Sequence, residues 1–324
     1  MSLSSLPPRQ RFISRAGHTY SYLFTPPVSD VKPTLLFLHG FPSHIPDWKN
    51  QVSHFSPLGY GIIVPDLLGY GHSSKPAALS AYKLKSMSSE LKELLDHLGI
   101  EKVVGIGHDF GATLLSRIVT YYPVWFEKVV FLAVGPARPG TPFKIHEINE
   151  MTKQMLGYEM LGYSPWIVED PTSQEILEGN AESAMSLMFC ADGSEWVRWF
   201  HPLGKMREFV GEDRKVDVGE WFDEELRVSH LNTFARKDGY KGAKMWYSMW
   251  MQESFLEDEK DYTDFRVKQQ VLCIVPRNSA EQQEGILMAW CDNLKTVAVE
   301  GGHWVHLENA QATNRAIEEF LKNA

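Results

Sequence analysis

Cysteine is scarce in this 324-residue chain: Cys190, Cys273 and Cys291 are the whole complement. Three thiols cannot staple a chain of this size, so no disulfide framework is expected and a reducing, cytoplasmic setting is. Positive charge is also short, with 32 Lys and Arg against 41 Asp and Glu and a formal net charge of −9. Nucleic acid and anionic membranes attract clustered cations, so neither is expected as a partner. Long apolar runs are missing too. The longest clean one, Val129 to Val134, falls far below the ~20 residues of a membrane-spanning helix. Residues 1–11 hold two prolines and no apolar centre, so no secretory signal is expected. The terminal Lys322-Asn323-Ala324 is no retention or peroxisomal address. Gly-x-Ser-x-Gly occurs nowhere, which argues against a serine esterase or lipase. Neither His-Glu-x-x-His nor paired cysteine ligands occur, so no metal and no organic cofactor is implied.

What is present reads as an ordinary globular chain, 44% hydrophobic and 23% charged. Its length fits one large domain or two coupled ones. Near-continuous apolar runs at Thr34–Leu38, Gly61–Val64, Val103–Ile106 and Val129–Val134 suit strands buried on both faces of a parallel sheet. Arg11–Arg15 and Tyr20–Phe24, joined through Ala16-Gly17-His18, predict an antiparallel hairpin at the sheet edge. Leu84, Met87, Leu91, Leu94, Leu95 and Leu98 line one helical face, and Gly99 follows as a left-handed terminator. From about Arg138 to Tyr262 the alternation stops and the pattern is helical. It then resumes with strands at Val271–Val275 and Thr296–Val299 and a last amphipathic helix from Glu308. The expected architecture is α/β: a core of residues 1–137 and 263–324, with a helical lid, 138–262, inserted after the sixth strand. Six of the ten Trp and nine of the twelve Met fall in that insertion. Such a composition suits either an adaptable surface over a pocket or the core of a helical subdomain.

The most informative stretch is Gly107-His108-Asp109-Phe110-Gly111, where a buried strand runs into a helix. Small residues two before and two after a central residue form the layout of a nucleophile elbow, in which glycine permits a sharp, strained turn. With 24 glycines, chance would frame an aspartate this way roughly 0.08 times in such a chain. The dinucleotide fingerprint is excluded, because Phe110 stands where its third glycine is needed. An aspartate at the elbow has a chemical consequence. Serine attacking a saturated carbon would give an ether, which water does not readily cleave. A carboxylate gives an ester, whose carbonyl is open to hydrolysis. Asp109 therefore points to epoxides or alkyl halides, and the helix start beside it favours the ionised form. The alternative is an aspartate that merely caps the helix.

Two further stretches complete the constellation. Leu38-His39-Gly40-Phe41-Pro42 follows another buried strand. In the elbow fold the loop after that strand and the residue after the nucleophile give the oxyanion-hole amides, so Phe41 and Phe110 are the candidates. Val299-Glu300-Gly301-Gly302-His303-Trp304 places His303 on a Gly-rich loop after the last strand, suited to a general base. His306 is expected to be a helix-entry residue, and His108 to pack rather than react.

These pieces, with Asp66 to Ser73 and its Gly-x-Gly-x-Ser, give the chain a resemblance to the α/β-hydrolase superfamily over essentially its whole length, and specifically to the epoxide hydrolases. The resemblance implies an eight-stranded, mostly parallel sheet flanked by helices, a cis bond before Pro42, and a small apolar epoxide as substrate. It also implies two lid tyrosines on the epoxide oxygen, matched to Tyr158 and Tyr247, with Tyr163 and Tyr240 as the packing alternatives. A phenol suits that task, being neutral at pH 7 and able to donate to a forming alkoxide. At the place of the family's histidine-orienting acid stands Ser279; Glu281 or Asn278 could substitute, or the triad is incomplete. Three rivals stand beside this reading. One is a biosynthetic enzyme of secondary metabolism that cyclises a polyketide epoxide. Another is a haloalkane dehalogenase, disfavoured because Phe110 replaces a Trp or Arg halide donor. The third is a non-catalytic small-molecule binder.

Overall fold

The computed structural model describes residues 2–277 and 287–322. Eight strands form one sheet in the order β1-β2-β4-β3-β5-β6-β7-β8. They are β1 Arg9–Ile13, β2 Thr19–Thr25, β3 Thr34–Leu38, β4 Gly61–Pro65, β5 Val103–His108, β6 Phe126–Leu132, β7 Val267–Pro276 and β8 Cys291–Val299. β1 and β2 run antiparallel at one edge, and every pairing from β4 to β8 is parallel. The apolar runs mark the centre of this sheet: β3, β4 and β5 are buried at every position. Leu35, Phe37, Ile62, Val64, Ile106 and Val130 share one core with Trp48 and Phe55. A side chain of that size contributes roughly 1.5–3 kcal/mol when fully buried.

The ends of elements differ from the sequence reading for identifiable reasons. β1 starts two residues early because Arg9 pairs with Leu23 across the hairpin. β6 begins at Phe126 and stops at Leu132, since Ala133 turns to a φ of 63°. β8 is five residues longer than its apolar run, because as an edge strand it exposes Asp292, Asn293 and Lys295. The helix Leu84–His97 ends where expected, with Gly99 at φ 68°. The final helical stretch breaks at Asn309 into Val305–Glu308 and Ala310–Lys322.

Contacts divide the chain into two compact units. The first comprises Met1–Ser74, Lys83–Thr141 and Leu256–Ala324, and holds the sheet. The second comprises Lys75–Tyr82 and Pro142–Phe255, so it draws in a short segment that the sequence reading assigned to the core. The second unit is built of short helices. Met188, Met206, Trp246 and Met249 are buried in it, so much of its unusual composition serves packing.

In the first unit a buried ion pair fastens the segments flanking the insertion. Arg117 Nε donates to Glu259 Oε1 at 2.6 Å, and neither side chain is exposed. Arg117 also donates to the carbonyls of Ala137 and Arg138, while Glu259 accepts from Tyr121 and the amide of Gly140. The residues just before Pro142 and just after Phe255 are therefore pinned to one helix, Phe110–Tyr121.

Candidate active site

Asp109 is the hinge between β5 and the helix Phe110–Tyr121. Its φ of 54° and ψ of −125° are strained for a residue with a Cβ, at a typical cost of about 1–3 kcal/mol. The glycines around it are sterically required. A Cβ on Gly111 would lie 2.0 Å from the Leu38 carbonyl oxygen, and one on Gly107 2.7 Å from that of Gly111. A Cβ on Gly40 would meet Asp109 Oδ1 at 2.2 Å, so the loop after β3 can close on the carboxylate only as glycine. That closeness lets the Phe41 amide donate to Oδ1 at 2.8 Å. The Phe110 amide bonds the carboxylate as well. The peptide between Phe41 and Pro42 is cis. Burial pushes the Asp109 carboxyl above the ordinary carboxylate range, against the pull of the Phe41 and Phe110 amides.

His303 sits in the turn between β8 and the helix Val305–Glu308, with Nε2 3.7 Å from Asp109 Oδ2. The two oxygens of Asp109 thus face different partners: the Phe41 amide at Oδ1, an imidazole at Oδ2. His108 and His306 are fully buried, and their rings stand 4.4 Å apart. His306 lies inside its short helix and packs on Trp48 at 4.7 Å. Asn278, Ser279 and Glu281, where the sequence placed the third acid or its substitutes, lie outside the described residues.

Two buried side chains that received no role from the sequence hold the oxyanion loop. His39 Nδ1 donates to the Gly40 carbonyl at 3.0 Å, and its Nε2 accepts from the Leu67 amide at 2.9 Å. Those bonds require a neutral ring, and burial lowers its pKa accordingly. Asp66 accepts from Arg9 at 2.7 Å and from the Ile45 and His72 amides at 2.9 and 3.0 Å. A Cβ at Gly71 would strike its carboxylate, which explains that glycine of the Gly-x-Gly-x-Ser stretch.

In the helical unit Tyr247 is buried on the helix Lys241–Met251. The ring that meets it is Tyr163, edge-on at 5.8 Å, and Tyr163 stacks on Phe200 at 4.1 Å. Phe200 ends a π-helical turn, Trp196–Phe200, a feature often found at functional sites. Gly162 places Tyr163 there, its own amide bonding the His201 carbonyl at 2.8 Å with no room for a Cβ. Tyr158 instead stacks on the His201 ring at 5.8 Å. Tyr240 is buried against Phe234. Of the two tyrosines, Tyr163 and not Tyr158 is in ring contact with Tyr247, because the helix Tyr163–Glu169 starts at the tyrosine five residues further on.

Known proteins can be set beside this geometry. A family profile described as the alpha/beta hydrolase fold matches residues 33–174. An epoxide hydrolase of Neurospora crassa is 28% identical over 94% of this chain and 92% of its own. Epoxide hydrolase A of Mycobacterium tuberculosis is 24% identical over 89% and 90%. Among solved structures, epoxide hydrolase A of Mycobacterium thermoresistibile superposes with a TM-score of 0.82 at 24% identity, covering 98% of both chains. The chain has the α/β-hydrolase fold, and its residues 33–174 are similar to that family's profile. It is an enzyme, a hydrolase whose curated relatives include epoxide hydrolases. Among the described residues no helix is long and apolar enough to cross a membrane.

Proposed function

We propose that the protein opens an epoxide to a vicinal diol through an ester on Asp109. One observation carries the reading: a carboxylate at the elbow with Oδ1 held by the Phe41 amide and Oδ2 turned to His303. Oδ2 attacks one epoxide carbon and breaks its bond to the ring oxygen, leaving an alkoxide that takes a proton from a tyrosine. The new ester keeps Oδ1 as its carbonyl oxygen, already seated on the Phe41 amide. His303 then removes a proton from water as that water attacks the ester carbonyl. The tetrahedral oxyanion forms in place and collapses, and the departing alkoxide takes the proton from His303. The proton left on the Asp109 carboxyl returns to the tyrosinate, so the diol leaves and every group is restored.

For the proton-donating pair we favour Tyr163 and Tyr247, supported by their mutual contact, over the Tyr158 and Tyr247 pairing. Phe110 offers a halide neither an indole nor a guanidinium, which weighs against a dehalogenase. Retention of the nucleophile and base weighs against a passive binder.

A single turnover of styrene oxide in ¹⁸O-water tests the reading. The first diol should be largely unlabelled, because its new oxygen comes from Asp109, and intact-protein mass should show the transient adduct. A fully labelled first diol with no adduct would mean direct attack by water, and the covalent route would be abandoned.

A further inference from the structure

Glu308 and His108 hold the peptide groups on both sides of His303. The Glu308 carboxylate accepts from the Gly302 amide at 2.6 Å and from the Trp304 amide at 2.8 Å, spanning the histidine. His108 Nε2 lies 2.8 Å from the His303 carbonyl oxygen. A carbonyl only accepts, so Nε2 of His108 carries the proton. Its Nδ1 is buried with no hydrogen-bond partner, which agrees with a neutral ring. We propose that Glu308 and His108 are positioning residues that clamp the His303 backbone and so aim its imidazole at Asp109. This rests on the hydrolytic role proposed for His303.

Several features of the loop follow. Gly302 has no spare room beside the clamp, since a Cβ there would lie 3.2 Å from Glu308 Oε1. Gly301 has a φ of 140°, open to glycine and strained for other residues. The His108 ring is itself wedged, with ring centres of His303, Trp304 and His306 at 4.6, 5.1 and 4.4 Å. Burial first, and then the charge of the neighbouring His303, keep its pKa well below the usual imidazole value, against the bond to the His303 carbonyl and the Asp47 charge. His108 is also the residue before Asp109, so one hydrogen bond ties the strand that ends in the nucleophile to the loop that carries the base. Bonds from amides to a carboxylate are roughly twice as strong as neutral ones. With its flanking peptides fixed, His303 keeps only side-chain torsions to adjust, and a displacement of about 1 Å can cost ~10²-fold in rate.

The test uses the whole enzyme with styrene oxide, rapid quenching and intact-protein mass, for wild type, Glu308→Ala, Glu308→Gln, His108→Phe and His108→Gln. Alkylation of Asp109 should stay within about twofold of wild type, while ester hydrolysis slows by about 10–100-fold and the ester accumulates. His108→Gln keeps an N–H for the same carbonyl and should recover part of the loss seen in His108→Phe. Hydrolysis undiminished in Glu308→Ala and His108→Phe would overturn the proposal. So would both steps falling together in step with the folded fraction, which would mark a merely structural role; Glu308→Gln is the milder variant for that comparison. A second readout is the ¹⁵N spectrum of the His303 imidazole. One sharp set of signals should broaden or shift between tautomers in Glu308→Ala and His108→Phe, and unchanged signals would again overturn the clamp. If styrene oxide never alkylates wild-type Asp109, the hydrolytic reading fails, and the spectra alone decide the clamp.

Discussion

The Phe41 amide donates to Oδ1 of Asp109 at 2.8 Å, so in the proposed mechanism the resting nucleophile already occupies one donor of its own oxyanion hole. The bond does two things. It helps hold a buried carboxylate ionised against the cost of desolvation. It also distinguishes the oxygens: under the proposed mechanism Oδ2 attacks and Oδ1 carries the later negative charge without the Phe41 donor moving.

Asp109→Asn should abolish turnover and change stability with a definite sign. A carboxyl whose folded-state pKa is raised favours the native state in its protonated form. That contribution is present below the unfolded value and lost as pH rises through the folded one. The asparagine variant, free of a buried charge, should therefore melt higher than wild type at pH 7–8. The margin should shrink as pH falls through the raised pKa, below which wild type is itself protonated. Melting curves across that range decide it; a margin that grows in acid would contradict the burial argument. Alkylation by wild type should fall as pH drops through the same raised pKa.

Tyr163→Phe and Tyr247→Phe should each slow epoxide opening by about 10²–10³, the usual cost of one preorganised donor. Tyr158→Phe should change it little. Single-turnover rates of Asp109 alkylation supply the comparison, and a larger loss in Tyr158→Phe would return the role to that residue.

Glu259→Gln should destabilise the protein by about 3–5 kcal/mol, because it leaves the Arg117 guanidinium buried without its counter-ion. Replacing both partners by Leu should cost less than the single change. Urea unfolding of the three variants would show the order, and a near-neutral Glu259→Gln would mean that water reaches the pair.

Asp66→Asn should weaken the sheet unit chiefly at neutral pH. Burial pushes this carboxyl up, but Arg9, His44 and the amides of His72 and Ile45 outweigh it and leave it below the ordinary value. A depressed carboxyl stabilises above its unfolded pKa and loses that contribution as pH falls through the folded one. The difference in melting temperature between wild type and variant should thus narrow below about pH 4.

The parallel centre of the sheet, the elbow and the base loop were legible because each is local. A strand buried on both faces is apolar throughout, and a strained turn needs glycine beside its nucleophile, as Gly107 and Gly111 show. Edge strand β8 was under-read because half of its residues face solvent, and Lys75–Tyr82 gave no local sign of joining the helical unit. Tyr158 and Tyr163 carry the same side chain five residues apart, so only the packing of Tyr163 between Phe200 and Tyr247 separates them. The roles of His39, Asp66, His108 and Glu308 could not be read along the chain either. The bonds of His39 to Leu67, of Asp66 to Arg9 and Ile45, and of His108 to His303 join residues far apart in sequence, and the Glu308 clamp depends on how a short helix folds back over its own entry loop. Residue types and short spacings determined the fold class and the candidate chemistry. Which groups stand together, Oδ1 of Asp109 with the Phe41 amide, Oδ2 with His303 and Tyr163 with Tyr247, was decided only when the fold brought segments together, a proximity that no pattern of neighbours encodes.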